Sequence, residues 1–105
     1  MSLRGVGIDV TDVRRIARLV ERHGTRFTDR WFASEEVAQC DISESPAQAF
    51  AVRFAAKEAV WKSLRMRWRG SVPWRSITIL HSDSAPTVEL AGDVATAARA
   101  FGVMK

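Results

Sequence analysis

The chain has 105 residues, 47% of them hydrophobic and 27% charged, with a formal net charge of +4. Folding at that length hides roughly 60–70% of the unfolded chain's surface, enough for one core, so 1–105 reads as a single domain. A lone cysteine, Cys40, excludes an internal disulfide and a cysteine metal cluster. No apolar run approaches the ~18 residues of a membrane span, and the first ten residues lack a signal peptide's apolar stretch. A reducing cytoplasm is the expected compartment.

In chain order, "LRGVGIDV" (3–10) reads as a strand, with Gly5 and Gly7 allowing close backbone approach. From about Asp12 the period changes. Val13, Ile16, Ala17, Val20 and Phe27 fit the apolar stripe of a helix running to about His23, with Gly24 as its stop. Arg14, Arg15, Arg18 and Arg22 fall largely away from that stripe and form one basic helix surface. "ASEEVAQC" begins a short helix with Ser34 as N-cap, and Glu35 and Glu36 favour its first-turn dipole. "DISESPAQ" is a polar loop, and Pro46 suits the first turn of a helix running to about Leu64. "RMRWRGSVP" is a basic loop, "WRSITIL" and "TVELAG" are strands about a turn at "HSDSAP", and "DVATAARAF" is a final helix closed by Gly102. Strands mixed with helices of unequal length predict an α+β fold.

The charge is unevenly placed. From Arg53 to Arg75 there are seven basic residues and one acid, Glu58, which suggests an anionic partner or a solvated basic face. Part of this run lies in the 46–64 helix, where "RFAAKEAVWK" sets Arg53, Lys57, Glu58 and Lys62 among Phe50, Phe54, Ala55, Ala56, Ala59, Val60 and Trp61. A helix apolar nearly all round is normally buried, so its charges cannot all escape to open water. Either Glu58 pairs with Lys62 while Arg53 and Lys57 snorkel outward, or the charges line a pocket completed by an anion and a metal. Asp9 and Glu58 are hard oxygen donors of the kind that hold Mg²⁺ beside substrate phosphates.

"GVGIDVTDVRRI", "RFAAKEAVWKSL", "VPWRSITIL" and "PTVELAG", in that order, resemble the holo-acyl-carrier-protein synthases, the small 4′-phosphopantetheinyl transferases. The resemblance implies an antiparallel sheet packed against helices, one of them long and central. It also implies Mg²⁺-dependent transfer of the phosphopantetheine arm of coenzyme A to a serine of apo acyl carrier protein, releasing adenosine 3′,5′-bisphosphate. By the same resemblance Asp9 and Glu58 bind the metal, and Lys62 contacts phosphate and steadies the departing oxygen. Arg53 and Lys57 stand near the coenzyme A phosphates, and Glu58, directly or through a water, is the candidate base. Asp12 stands where the family commonly has glutamate and takes a secondary part. Arg14, Arg15, Arg18 and Arg22 would meet the acidic carrier protein, and the assembly would be a homotrimer with active sites between subunits.

Two departures from the family pattern stand out. The chain ends at Lys105, before the C-terminal strand with its S-x-S-H pattern that family members usually carry, so a truncated or inactive member that only binds coenzyme A or carrier protein is an alternative. The loop after the central helix is glycine-rich in the family but reads "RMRWRG" here, and arginines adopt positive φ less cheaply than glycine, which predicts another loop shape. Trp68 and Trp74 are expected to be packing anchors. Arginine interleaved with an aromatic also suits a nucleic-acid-binding module, but no nucleic-acid motif accompanies it and Asp9 and Glu58 would have no role. No nucleic-acid or membrane partner is expected.

Overall fold

The computed structural model describes residues 10–65, 67–81 and 85–100, with side chains described from Val13 onward. Helix α1 (Val10–His23) buries Val13, Ile16 and Val20 and leaves Arg14, Arg15, Arg18 and Arg22 exposed, as its periodicity predicts. Gly24 stops it at φ 56°, a left-handed conformation suited to glycine, and its N–H donates to the Val20 carbonyl at 2.8 Å. Of the strand expected over 3–10, residues 3–9 lie outside the described residues, and Val10 is already helical.

A second helix, α2 (Thr25–Trp31), follows at once, and the sequence did not reveal it. Phe27 therefore belongs to α2 and not to the stripe of α1, and its ring lies 5.9 Å from that of Phe54. A break of one residue is nearly invisible to a periodicity argument, since the apolar positions on either side still fall near one stripe. Helix α3 (Ser34–Asp41) starts one residue before its expected cap has a role: Ala33 holds the N-cap position and Ser34 is the first helical residue. The end is closed by Glu36, whose carboxylate accepts the Ala33 N–H at 2.9 Å.

Helix α4 (Pro46–Leu64) has the expected limits, with Pro46 in its first turn. The segment "WRSITIL" divides: Trp74–Ser76 is a 3₁₀ turn, and β1 is Ile77–His81. β1 pairs antiparallel with β2 (Pro86–Leu90), Ile77 opposite Leu90 and Ile79 opposite Val88, so the four apolar side chains share one face. Helix α5 (Gly92–Ala100) follows; its expected stop at Gly102 lies outside the described residues. The architecture is α+β: among the described residues a two-stranded sheet is set against helices, with α4 at the centre.

Two apolar clusters share α4. Its first half packs Phe50, Ala51 and Ala55 with Val13, Ile16 and Val20 of α1, Phe32, and Cys40 of α3. Its second half packs Ala56, Val60 and Leu64 with Ile77 and Ile79 of β1 and Val94 and Ala98 of α5. Different neighbours therefore cover different sides at successive turns. Much of the apolar circumference of α4 is explained by contacts within one chain. Burying a side chain such as Phe50 or Val60 in this way stabilises the fold by roughly 1.5–3 kcal/mol.

Candidate active site

The charged residues of α4 stand in three settings: enclosed, intermediate and outward. Lys57 is fully buried. Its ammonium pairs with Glu36 at 2.5 Å and donates to the carbonyls of Trp31 and Trp74, both at 2.9 Å. It also lies 4.8 Å from the centre of the Phe32 ring. Three N–H groups thus meet three oxygens, and the cation faces an aromatic ring. Trp31 ends α2, so Lys57 satisfies a carbonyl that the helix itself leaves without a partner.

Glu36 is equally buried, and its two oxygens are used from opposite sides. One accepts the Ala33 N–H and meets Lys57, and the other accepts the Ile79 N–H of β1 at 3.0 Å. Burial pushes the Lys57 ammonium below the usual lysine range, against the pull of the Glu36 carboxylate in the other direction. Lys57 does not snorkel to water, as one reading of the sequence expects. Its donors are spent inside the protein, because the nearest acceptors of three segments converge there.

Arg53 holds an intermediate position. Its Nε donates to the Ile79 carbonyl at 3.2 Å and its Nη2 to Oε1 of Gln39 at 2.9 Å. Gln39 in turn accepts the His81 N–H at 2.9 Å and donates to the His81 carbonyl at 3.0 Å, clamping α3 to the end of β1. Arg53, Gln39 and His81 border an open hollow of about 530 Å³ between these elements. Two of the five guanidinium donors are used, which leaves others for a ligand.

Glu58 and Lys62 form the outward group. Glu58 is half-buried and Lys62 exposed, one turn apart, and among the described residues neither has a hydrogen bond or ion pair. The i,i+4 pair considered from the sequence is therefore not formed. Asp9 lies outside the described residues, as does the side chain of Asp12. Among the described residues no three His, Cys, Asp or Glu side chains converge as a metal cage. A half-exposed carboxylate without a partner is still the donor that Mg²⁺ takes, since that ion uses one or two carboxylates and fills its shell with water and phosphate.

Beyond α4, Arg65 adopts φ 52° despite carrying a side chain, so the loop's first residue takes the left-handed conformation the sequence argued against; Arg67 and Arg69 do not. Trp68 packs edge-on to Trp61 at 5.5 Å and donates its indole N–H to the Ser71 carbonyl, and Trp74 lies 5.3 Å from Phe54. Both tryptophans pack, as expected. Arg26 and Arg30 of α2 are also exposed, with the Arg30 guanidinium over the Trp31 ring at 5.4 Å. The sequence reading missed them because it missed α2.

Comparison with known proteins agrees with this architecture. Residues 5–103 match the model of the 4′-phosphopantetheinyl transferase superfamily. The chain belongs to that superfamily. It is 47% identical over 92 residues to a holo-acyl-carrier-protein synthase of Methylobacterium radiotolerans, covering 87% of this chain and 68% of the relative. It is 40% identical over 92 residues to the enzyme of that name from Rhizobium rhizogenes, covering 87% and 69%. A crystal structure of the holo-acyl-carrier-protein synthase from Neisseria meningitidis superposes with a TM-score of 0.77 at 30% identity, over 94% of this chain and 80% of that one. The catalytic class common to them holds here: the chain is a phosphopantetheinyl transferase of the holo-acyl-carrier-protein synthase type.

Proposed function

We propose that this chain transfers the 4′-phosphopantetheine group of coenzyme A to a serine hydroxyl of an apo acyl carrier protein, with Mg²⁺ bound by Glu58 and Asp9. The observation that carries the reading is the outward pair on α4: a carboxylate and an ammonium one turn apart, half-exposed and exposed, without partners among the described residues. Mg²⁺, when bound, supplies Lewis-acid neutralisation of the pyrophosphate.

The rest falls to the side chains. Lys62 holds a phosphate oxygen and steadies negative charge on the departing group. Arg53 offers its remaining donors to a further phosphate at the hollow it borders. The serine oxygen forms a bond to the phosphorus of the phosphopantetheine, and the bond from that phosphorus to the bridging oxygen breaks. Adenosine 3′,5′-bisphosphate leaves, and the serine proton passes to Glu58, directly or through a water. Arg14, Arg15, Arg18 and Arg22 guide the acidic carrier protein to the site, and the exposed Arg26 and Arg30 of α2 add to the positive charge it meets. The working assembly is a homotrimer in the cytoplasm, its sites formed between subunits.

The test is the intact mass of apo acyl carrier protein after incubation with this chain, coenzyme A and Mg²⁺. A gain of one phosphopantetheine group, abolished by EDTA, is the expected result. An unchanged mass under conditions where coenzyme A binds would favour a non-catalytic binding role and sink the transfer reading.

A further inference from the structure

Helix α4 poses a problem of orientation. Its apolar residues are spread round nearly the whole circumference, and the helix packs on different sides at successive turns. Hydrophobic burial is not directional, so it gives such a helix little reason to prefer one rotation about its axis over another. Yet the charged residues tolerate only one setting. At about 100° per residue, a modest turn that carried Lys57 toward water would also displace Glu58 and Lys62 from the places they now hold.

We propose that the buried Glu36–Lys57 pair is a positioning device that fixes the rotation of α4 and thereby places Glu58 for metal binding. The bonds at Lys57 are directional and come from three separate segments: the last residue of α2, the first turn of α3, and the 3₁₀ turn before β1. Glu36 adds β1 through the Ile79 N–H. Four segments are thereby referred to one atom of α4, the residue immediately before Glu58. A buried ion pair is costly to desolvate and adds little net stability over apolar side chains of similar size, but it can select one arrangement among several. Lys57 and Glu36 need not touch substrate or metal. They act through Glu58.

The inference rests on the reading of Glu58 as a metal ligand, and the experiment separates the two. Mn²⁺ binding is titrated by electron paramagnetic resonance in the wild type, Glu58→Gln, Glu36→Gln and the double variant Glu36→Met with Lys57→Met. Thermal unfolding is followed in parallel, with kcat and KM for the carrier protein. The double variant should keep cooperative unfolding yet bind Mn²⁺ at least tenfold more weakly, and its kcat should fall with KM for the carrier protein unchanged. Should the double variant not fold, Glu36→Gln, nearly isosteric and still able to accept a backbone N–H, is expected to weaken Mn²⁺ binding several-fold. Wild-type Mn²⁺ affinity and kcat in folded pair variants, with only the melting temperature altered, would make the pair merely structural and overturn the proposal. Mn²⁺ binding insensitive to Glu58→Gln would remove the metal-ligand reading itself, and the positioning role with it.

Discussion

Lys57 and Glu58 are adjacent in the sequence of α4 and opposite in physical condition. Lys57 is enclosed, with every donor used; Glu58 and Lys62 face outward and have no partner among the described residues. The same residue types thus serve two ends on one helix. Enclosed charge costs several kcal/mol per ion to desolvate and must be answered by fixed partners, which makes it useful for defining geometry. Outward charge costs little to keep and remains free for a ligand. Substitution of an outward residue should therefore change activity with stability kept, whereas substitution of an enclosed one should act on stability and reach the chemistry only through the placing of Glu58.

The largest effect is expected at Glu58→Gln. Transfer to acyl carrier protein, read by intact mass, should fall by about a thousandfold or more, since both charge neutralisation and a proton acceptor are lost. The melting temperature should stay close to wild type, because no described residue depends on that carboxylate. Full activity in this variant would sink the assignment of Glu58. Lys57→Ala should lower stability as well, besides weakening metal binding through Glu58. It leaves the Glu36 carboxylate buried without its cation, a change that costs about 3–5 kcal/mol. In a domain of this size that corresponds to a fall in melting temperature of roughly 10–30 °C by calorimetry. A change of only a degree or two would mean that water reaches Glu36 and that the enclosure described here is wrong.

The basic face of α1 sharpens the contrast from a third side. Arg14, Arg18 and Arg22 are exposed, and replacing all three by alanine should leave the fold intact and raise KM for the carrier protein by about tenfold at low salt. The difference from wild type should shrink as salt rises, because screening already weakens the attraction in both proteins. An effect on kcat alone, with no salt dependence, would remove these residues from carrier docking.

How much of this was legible beforehand depends on the range of the contacts involved. Gly24 as a stop, Pro46 as a start and the limits of α4 rest on local backbone chemistry, and the sequence predicts them. The sequence predicts Glu36 as a favourable charge in a helix's first turn, which it is. Its decisive partners, Lys57 and the Ile79 N–H, come from other segments brought together by folding, and no local pattern announces them. The signal nearest to hand was the setting of Lys57 itself, a lysine between Ala55, Ala56 and Val60 on a helix without a polar side. Lysine is so rarely buried that an outward course was the natural expectation. Of the candidate site, the α4 residues are placed, while Asp9 lies outside the described residues.

Cys40 gives the mildest test of the enclosed region. It is fully buried against the same cluster, and burial pushes its thiol from 9.0 up to about 11. Glu36 and Asp41 push in the same direction, while Arg53 and Lys57 oppose them. A raised folded-state value means that the folded chain holds its proton where the unfolded chain has already lost it. Stability from this group is complete below about pH 9 and declines as the pH rises toward about 11. By pH 10 the loss should be ~1 kcal/mol, read by urea unfolding as the difference in pH slope between wild type and Cys40→Ala. The native thiol should also resist alkylation at pH 8, reacting only as fast as the chain opens. Equal slopes together with rapid alkylation would place Cys40 in contact with water, and the wall between the enclosed and the outward charges would then have to be drawn closer to Lys57.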